Sequence, residues 1–347
     1  MSGELSARQQ KILKLIVQDY VRTGRAVGSK SLIDRYKLEV SPATVRNDMG
    51  VLEELAYLQH PHTSAGRVPT DSGYRYYVEN LLGTPRVPVS EQIRIRHQFS
   101  QVEMQVAASM KLAAAVLAEA SGNIALISPP RSVRETVRHF ELISLRDRLV
   151  LLILVTQSGT VHESFLHLDE AIDQDTLSTT SRALNDQIRD LSFVEVQKSV
   201  AERNGFEALV LEQISALMQR TEQESTAELH SEGLERALRQ PEFSQGEVAQ
   251  RLLEVLRGGA LLSVLLPQVR QKDDLRIFIG SENVTDDLQP YGVVIARYGA
   301  TNEVTGLLGI IGPTRMPYDR SISTVRYVSA IMSDMLRHVH TDDEPEL

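Results

Sequence analysis

Apolar residues return every three or four positions at the start of the chain, at Ile12, Leu13, Ile16, Val17 and Tyr20. That spacing is one face of a helix. Ser6 stands where an N-cap belongs, and Thr23-Gly24 stops the run. Gly28-Ser29 opens a second, short helix with Leu32, Ile33 and Tyr36 inside, and Lys37 to Val40 form a turn. Ser41-Pro42 then opens a third, with serine as cap and proline in the first helical position, where a missing N–H costs nothing. Its pattern predicts two faces: Val45, Met49, Leu52 and Leu55 anchor it, while Thr44, Arg46, Asn47 and Asp48 fall largely on the other side. Tyr57-Leu58-Gln59 reads as a strand, Ala65-Gly66-Arg67 as a tight tip, and the residues beyond as a returning strand. Thr70-Asp71 caps a closing helix that carries Tyr74, Tyr77, Val78 and Leu81.

The pattern changes at residue 83. Gly83 to Pro88 is a linker by composition, and residues 90–121 read as one helix ended by Ser121-Gly122-Asn123. Phe140–Leu145, Leu149–Thr156 and Val161–Leu168 are β-rich runs separated by turn residues, which predicts an antiparallel meander. Residues 169–255 are polar and mostly helical. Strands return at Leu275–Ile279, Val293–Tyr298 and Gly306–Ile311, followed by a helix over about Ser321–His338 and an acidic tail. Short strands on both sides of a helical stretch predict one α+β domain, residues 122–168 plus 256–340, interrupted by an insertion at 169–255; each strand set alone would leave open edges. Leu151, Ile153, Val155, Ile277 and Ile295 read as core filling.

Composition narrows the function classes. The 347 residues include no cysteine, which removes disulfides, thiolate metal sites and a cysteine nucleophile, and fits a reducing cytoplasm. No stretch approaches the ~18–20 apolar residues of a membrane helix, and the N-terminus lacks a signal-peptide layout. The net charge of −9 is unevenly spread. Residues 1–82 hold 11 Lys and Arg against 9 Asp and Glu, while the rest holds 26 against 37. A mildly basic head on an acidic body suits a nucleic-acid-binding domain joined to a core that does not bind.

Three helices followed by a hairpin are the parts of a winged helix-turn-helix over residues 1–82; such a unit can also bind protein, and the pattern favours DNA, with the third helix placed to read it. Arg46 can pair bidentately with guanine and Asn47 with adenine, because their donor and acceptor spacings match those base edges in the major groove. The helix N-terminus offers backbone amides to a phosphate. On the hairpin, Gly66 permits the turn, Arg67 at the tip can reach a phosphate or a narrow minor groove, and Thr63 and Ser64 are of phosphate-contacting type. No Ser/His/Asp constellation stands out, so catalysis is not expected. His60 and His62 lack the further ligands that zinc needs. Gly306, Gly309 and Gly312 lack the lysine of a phosphate loop and read as a close-packed strand pair. No cofactor is implied. On double-stranded DNA one such helix reads one half-site, so a two-fold symmetric operator would need a homodimer with two recognition helices about the axis. Residues 90–121 and the insertion are the candidate dimer contacts.

Ser41-Pro-Ala-Thr-Val-Arg-Asn-Asp-Met, Leu52-Glu-Glu-Leu and His62-Thr-Ser-Ala-Gly-Arg-Val-Pro-Thr together resemble the heat-inducible transcription repressors of the HrcA family. The resemblance continues through Gly73-Tyr-Arg-Tyr-Tyr-Val, Ile279-Gly-Ser-Glu-Asn and Ile311-Gly-Pro-Thr-Arg-Met-Pro-Tyr-Asp-Arg, nearly the whole chain. It implies an α+β multidomain protein: an N-terminal winged helix-turn-helix (1–82), a linker and connecting helix (83–121), a discontinuous GAF-like domain, and an inserted mainly helical dimerisation domain. It also implies repression of chaperone operons through an inverted-repeat operator bound by a homodimer, with a GroEL-type chaperonin as partner. The matching site residues are Ser41, Thr44, Arg46 and Asn47 on the helix, and His62, Ser64, Gly66 and Arg67 on the wing. Ala56 departs from the pattern, which expects a glycine there, and predicts a slightly longer helix. A second reading is a regulator that senses a small molecule bound in the GAF-like domain.

Overall fold

The computed structural model describes residues 5–61, 66–102, 105–132, 136–157, 159–201, 203–225, 229–244, 246–257, 269, 275–283, 285–299 and 304–341. The chain is a mixed α+β protein that divides into two compact units. One comprises residues 1–129, 229–300 and 306–347, and the other residues 130–228 with 301–305. Among the described residues, no helix is long and apolar enough to cross a membrane.

The first unit begins with α1 (Ala7–Thr23), α2 (Ser29–Tyr36) and α3 (Pro42–Glu54). Local chemistry sets their ends. Ser6 and Gln9 form a reciprocal capping box at α1, and Gly24, in the left-handed region at φ 63°, closes it. The Ser41 hydroxyl accepts the Thr44 amide, and Pro42 occupies the first turn of α3. Ile12, Leu13, Ile16 and Val17 of α1 pack with Leu32 of α2 and with Val45, Met49 and Leu52 of α3 in one buried cluster. Each such side chain contributes roughly 1.5–3 kcal/mol on burial. Asp19 ties α1 to α2 from inside: its carboxylate is buried and pairs with Arg22 and with Arg35. Two short antiparallel strands follow, β1 (Leu58–Gln59) and β2 (Val68–Pro69), then α4 (Asp71–Tyr76), which continues as a π turn over Tyr77–Leu81.

Residues 90–121 are not a single helix. They hold α5 (Val89–Ser100) and α6 (Val106–Ser121), and Gln105 leaves helical geometry to start the second. Ile95, Phe99, Val102, Val106, Met110 and Ala113 keep helical phase across the break, so periodicity alone cannot reveal it. Next come β3 (Ile124–Ile127), the two-residue β4 (Arg131–Ser132), β5 (Val137–Arg146), β6 (Leu149–Thr156) and β7 (Val161–His167). Then follow α7 (Gln174–Ile188), α8 (Phe193–Val200), α9 (Gly205–Ser225), β8 (His230–Glu232), α10 (Leu234–Ala237) and α11 (Gly246–Arg257). The chain finishes with β9 (Leu275–Ile279), β10 (Tyr291–Gly299), β11 (Val304–Pro313) and α12 (Tyr318–Thr341).

The main sheet runs β8-β3-β11-β10-β9. One face packs against α6 and α12 in the same cluster as the N-terminal helices. The other face sends Ile124, Val293, Ile295 and Ile311 against Phe243 and Leu252. Gly306 and Gly309 bear out the close-packed reading: a Cβ on them would stand 2.5 Å from the Tyr298 ring and from the Val294 carbonyl oxygen respectively.

The expected insertion boundaries do not hold. The meander β5-β6-β7 does not join the main sheet. Its inward residues Phe140, Leu142, Leu152, Leu154 and Leu166 pack with Leu184, Val210 and Ile214 from α7 and α9, so the separate unit begins at 130, not 169. It ends by 228, because His230–Glu232 already pairs with β3. The open-edge argument failed for a specific reason. Side-chain amides of α7 satisfy the free edge of β5: Asn185 bonds both the amide and the carbonyl of Phe140, and Gln174 bonds the Leu142 carbonyl and the Ser144 amide. The period-2 pattern also inverts one expectation. Leu151, Ile153 and Val155 lie half-exposed on the outer face of β6, while Val150, Leu152 and Leu154 are the core positions.

The end of α3 is strained in a measurable way. The Tyr57 amide bonds the Leu52 carbonyl and the Ala56 amide bonds the Glu53 carbonyl, both at 2.9 Å, which is the Schellman pattern. Ala56 occupies its left-handed position at φ 59°. The helix is therefore not extended, contrary to expectation; alanine takes the backbone conformation a glycine would take, at a steric cost. Ala56→Gly is expected to raise stability by about 0.5–1 kcal/mol in denaturant unfolding. A lower midpoint for Ala56→Gly would contradict this account of the helix end.

Candidate nucleic-acid interface

The candidate residues of α3 lie within its first two turns. Val45, Asp48, Met49 and Leu52 face inward, while Ser41, Arg46 and Asn47 are exposed and Thr44 is half-buried. A helix packed along one stripe must present the opposite stripe outward, so burial of Val45 and Met49 dictates exposure of Arg46 and Asn47. The Ser41 and Thr44 hydroxyls lie 2.9 Å apart and are engaged in the cap. Their first contribution is therefore to fix the entry of the helix.

Two expectations for α3 are corrected. Asp48 is not on the outward face; it is buried and receives a forked bond from Arg8, Nε to Oδ2 at 2.6 Å and Nη2 to Oδ1 at 3.1 Å. Asp48 thus ties the start of α1 to the middle of α3. Leu55, expected among the anchors, is 39% exposed, because the chain has already left helical geometry there.

The wing differs from its reading as well. His62 and Ser64 lie outside the described residues. Gly66 is buried, and its φ is not positive, so the turn does not require glycine. Close approach does: a Cβ there would stand 2.7 Å from the Ala26 carbonyl carbon. Arg67 sits at the base of the hairpin, not its tip. Its amide and carbonyl both bond Val27 at 2.9 Å, and its Nε donates to Glu53 Oε2 at 2.8 Å. The Glu53–Arg67 pair braces the wing against α3.

The structure brings Arg46 and Arg67 together with a group that the sequence pattern did not single out. A cleft of about 510 Å³ is lined by Gly28, Ser29, Lys30 and Ser31 at the start of α2, together with Arg46 and Arg67. No side chain caps the first-turn amides of α2, because Gly28 is its N-cap. Those amides, the α2 dipole and three cationic side chains line one concave surface, an arrangement suited to a phosphate oxygen. Asp34 on the same rim and the Glu53 partner of Arg67 moderate the charge. Gly28 itself was the available signal: a glycine N-cap has no side chain to accept the first-turn amides and leaves them for an outside partner. Among the described residues no cluster of three or more His, Asp or Glu could hold a metal ion.

Residues 108–322 match the family model described as HrcA protein C terminal domain. The heat-inducible transcription repressor HrcA of Thermomicrobium roseum is 49% identical over 336 residues, covering 97% of each chain. The protein of the same description from Roseiflexus castenholzii is 42% identical, covering 98% of this chain and 97% of its own. A crystal structure described as that of a hypothetical protein shares the fold with a TM-score of 0.57 at 24% identity, covering 96% of this chain and 98% of that one. The chain belongs to the HrcA family of heat-inducible transcription repressors.

Proposed function

We propose that residues 1–82 form a winged helix-turn-helix head that lays α3 in the major groove of an inverted-repeat operator, one head per half-site of a homodimer, and thereby represses chaperone operons. The carrying observation is the division of α3: buried Val45, Met49 and Leu52 behind, exposed Arg46 and Asn47 in front. Arg46 and Asn47 read base edges; Ser41 and Thr44 set the helix entry; Gly66 seats the wing; Arg67 adjoins the DNA backbone, and the family resemblance adds His62 and Ser64 as contacts. The cleft at the start of α2 supports adding Lys30 as a phosphate contact. A repressor acts where the chromosome is, so this reading places the protein in the cytoplasm. The GroEL-type chaperonin partner belongs to the same reading and is carried by the family resemblance.

For the dimer, the outer face of β5-β6-β7 supports one contact. Ile143, Leu151 and Phe165 stand side by side across its three strands, and Ile143 and Phe165 are 39% and 58% exposed. An apolar row of this kind, on a face with no helix over it in the described residues, suits burial against the same row of a second copy. The ligand-sensing alternative gains no support, since both faces of the main sheet are filled by apolar side chains.

Three substitutions test the reading by gel shift or fluorescence anisotropy. Arg46→Ala is expected to cost about 1–3 kcal/mol on the operator and to relax preference at one base position. Lys30→Ala is expected to weaken binding to all duplexes alike and to lower the salt slope by about 1. Unchanged binding in both would remove the interface. Phe165→Asp is expected to yield monomers in sedimentation and to lose roughly 10²-fold in operator affinity; a Phe165→Asp protein that remains dimeric would move the contact elsewhere.

A further inference from the structure

Two of the sequence motifs lie outside the candidate DNA contacts: Ile279-Gly-Ser-Glu-Asn and Ile311-Gly-Pro-Thr-Arg-Met-Pro-Tyr-Asp-Arg. In the structure both turn toward the head. Arg75 of α4 donates from Nε to Glu282 at 2.8 Å and from Nη2 to the Ile277 carbonyl at 2.7 Å. Asp71, in the first turn of α4, accepts from the Ser281 amide at 2.9 Å and from its hydroxyl at 3.0 Å. Gly280 is required twice over: its φ is 57°, and the Asp71 carboxylate occupies the space a Cβ would need. From the second motif, Arg315 donates to the Val21 carbonyl in the last turn of α1 at 3.1 Å and is itself held by Glu242. Tyr318 packs on Tyr74 with ring centroids 5.8 Å apart, both rings buried. Burial pushes both phenols well above their ordinary range, so they remain neutral at physiological pH.

We infer that these two motifs form a socket on the body of the chain that fixes the orientation of the DNA-binding head, and that this orientation sets which half-site spacing the dimer accepts. The inference rests on the dimeric operator reading above. Three arguments carry it. The contacts are directional and run from the two body motifs to two different points of the head, α4 and the end of α1, so they restrain rotation as well as separation. The α4 helix follows β2 immediately, and Thr70 bonds both Ala56 and the first turn of α4, so the socket's hold on α4 is transmitted to the wing and to the end of α3. Docking leaves Arg46 and Asn47 exposed, so the socket positions the head and does not block it.

The test uses full-length protein and an inverted-repeat duplex selected from a random library with the wild type. Affinity is measured on that duplex, on versions with the spacer lengthened by up to about half a helical turn (~5 base pairs), and on a single half-site. The wild type is expected to lose roughly 10²-fold on the longest spacer, because the second head can no longer engage. Asp71→Ala/Arg75→Ala is expected to lose about tenfold on the selected duplex, to fall less than about tenfold across the spacers, and to bind the half-site like the wild type. A variant that keeps the wild-type spacer profile overturns the socket. Should the double variant fail to fold, Ser281→Ala, which removes one hydroxyl bonded to Asp71, is expected to flatten the profile in the same direction, and an unaltered profile overturns the proposal. A wild type that binds the half-site as tightly as the repeat would instead refute the dimer reading, and with it the spacing role. In that event the melting-temperature cycle of Arg75→Ala and Glu282→Ala decides the socket alone: additive shifts would overturn it.

Discussion

A helix can bury only one stripe, and α3 spends its stripe on α1. Val45, Met49 and Leu52 enter the cluster built by Ile12, Leu13, Ile16 and Val17, and Asp48 adds a buried charge held by Arg8. Everything outward follows from that choice. Arg46 and Asn47 have nowhere to go but solvent, the wing must reach α3 from the side, and the Glu53–Arg67 pair joins the two. Removing Arg8 would leave the Asp48 carboxylate buried without compensation, so the pair holds this acidic residue off the outward face of α3.

The features legible in the sequence are those decided within a few residues. Ser6, Gly24, Ser41-Pro42 and Thr70 each end or begin a helix where their own side chains or backbone preferences require. The turn residues around β6 likewise define the meander. Decisions made over long distance were not legible. The edge of β5 is closed by Asn185 and Gln174, some 30 to 45 positions away, so the meander forms a unit with α7 to α9 that strand counting assigned to the main sheet. The α5–α6 break leaves the apolar phase intact and so leaves no periodic signature.

The candidate site divides the same way. Arg46 and Asn47 follow from the helical period of their neighbours. Asp48 is adjacent to them and was assigned outward with them, because nothing in the local sequence announces that Arg8, 40 positions earlier, would hold it inside. Arg67 reads as a free tip residue until Val27 and Glu53 are seen to fix it. Gly28 to Ser31 carry no recognisable motif; only the approach of α2 to α3 and the wing makes them a cleft. The C-terminal motifs are the converse case, conspicuous in sequence yet given a purpose only when Arg75 and Asp71 are found seated on them.

The central claim is that DNA meets the chain at the front of α3 and the start of α2. Amide hydrogen exchange of the full-length protein, with and without a selected operator duplex, tests it directly. Slowed exchange in residues 28–32 and 41–48, with the buried half of α3 protected in both states, is the expected result. Protection that appears only in residues 137–167, or none in either of the two N-terminal segments, would contradict it.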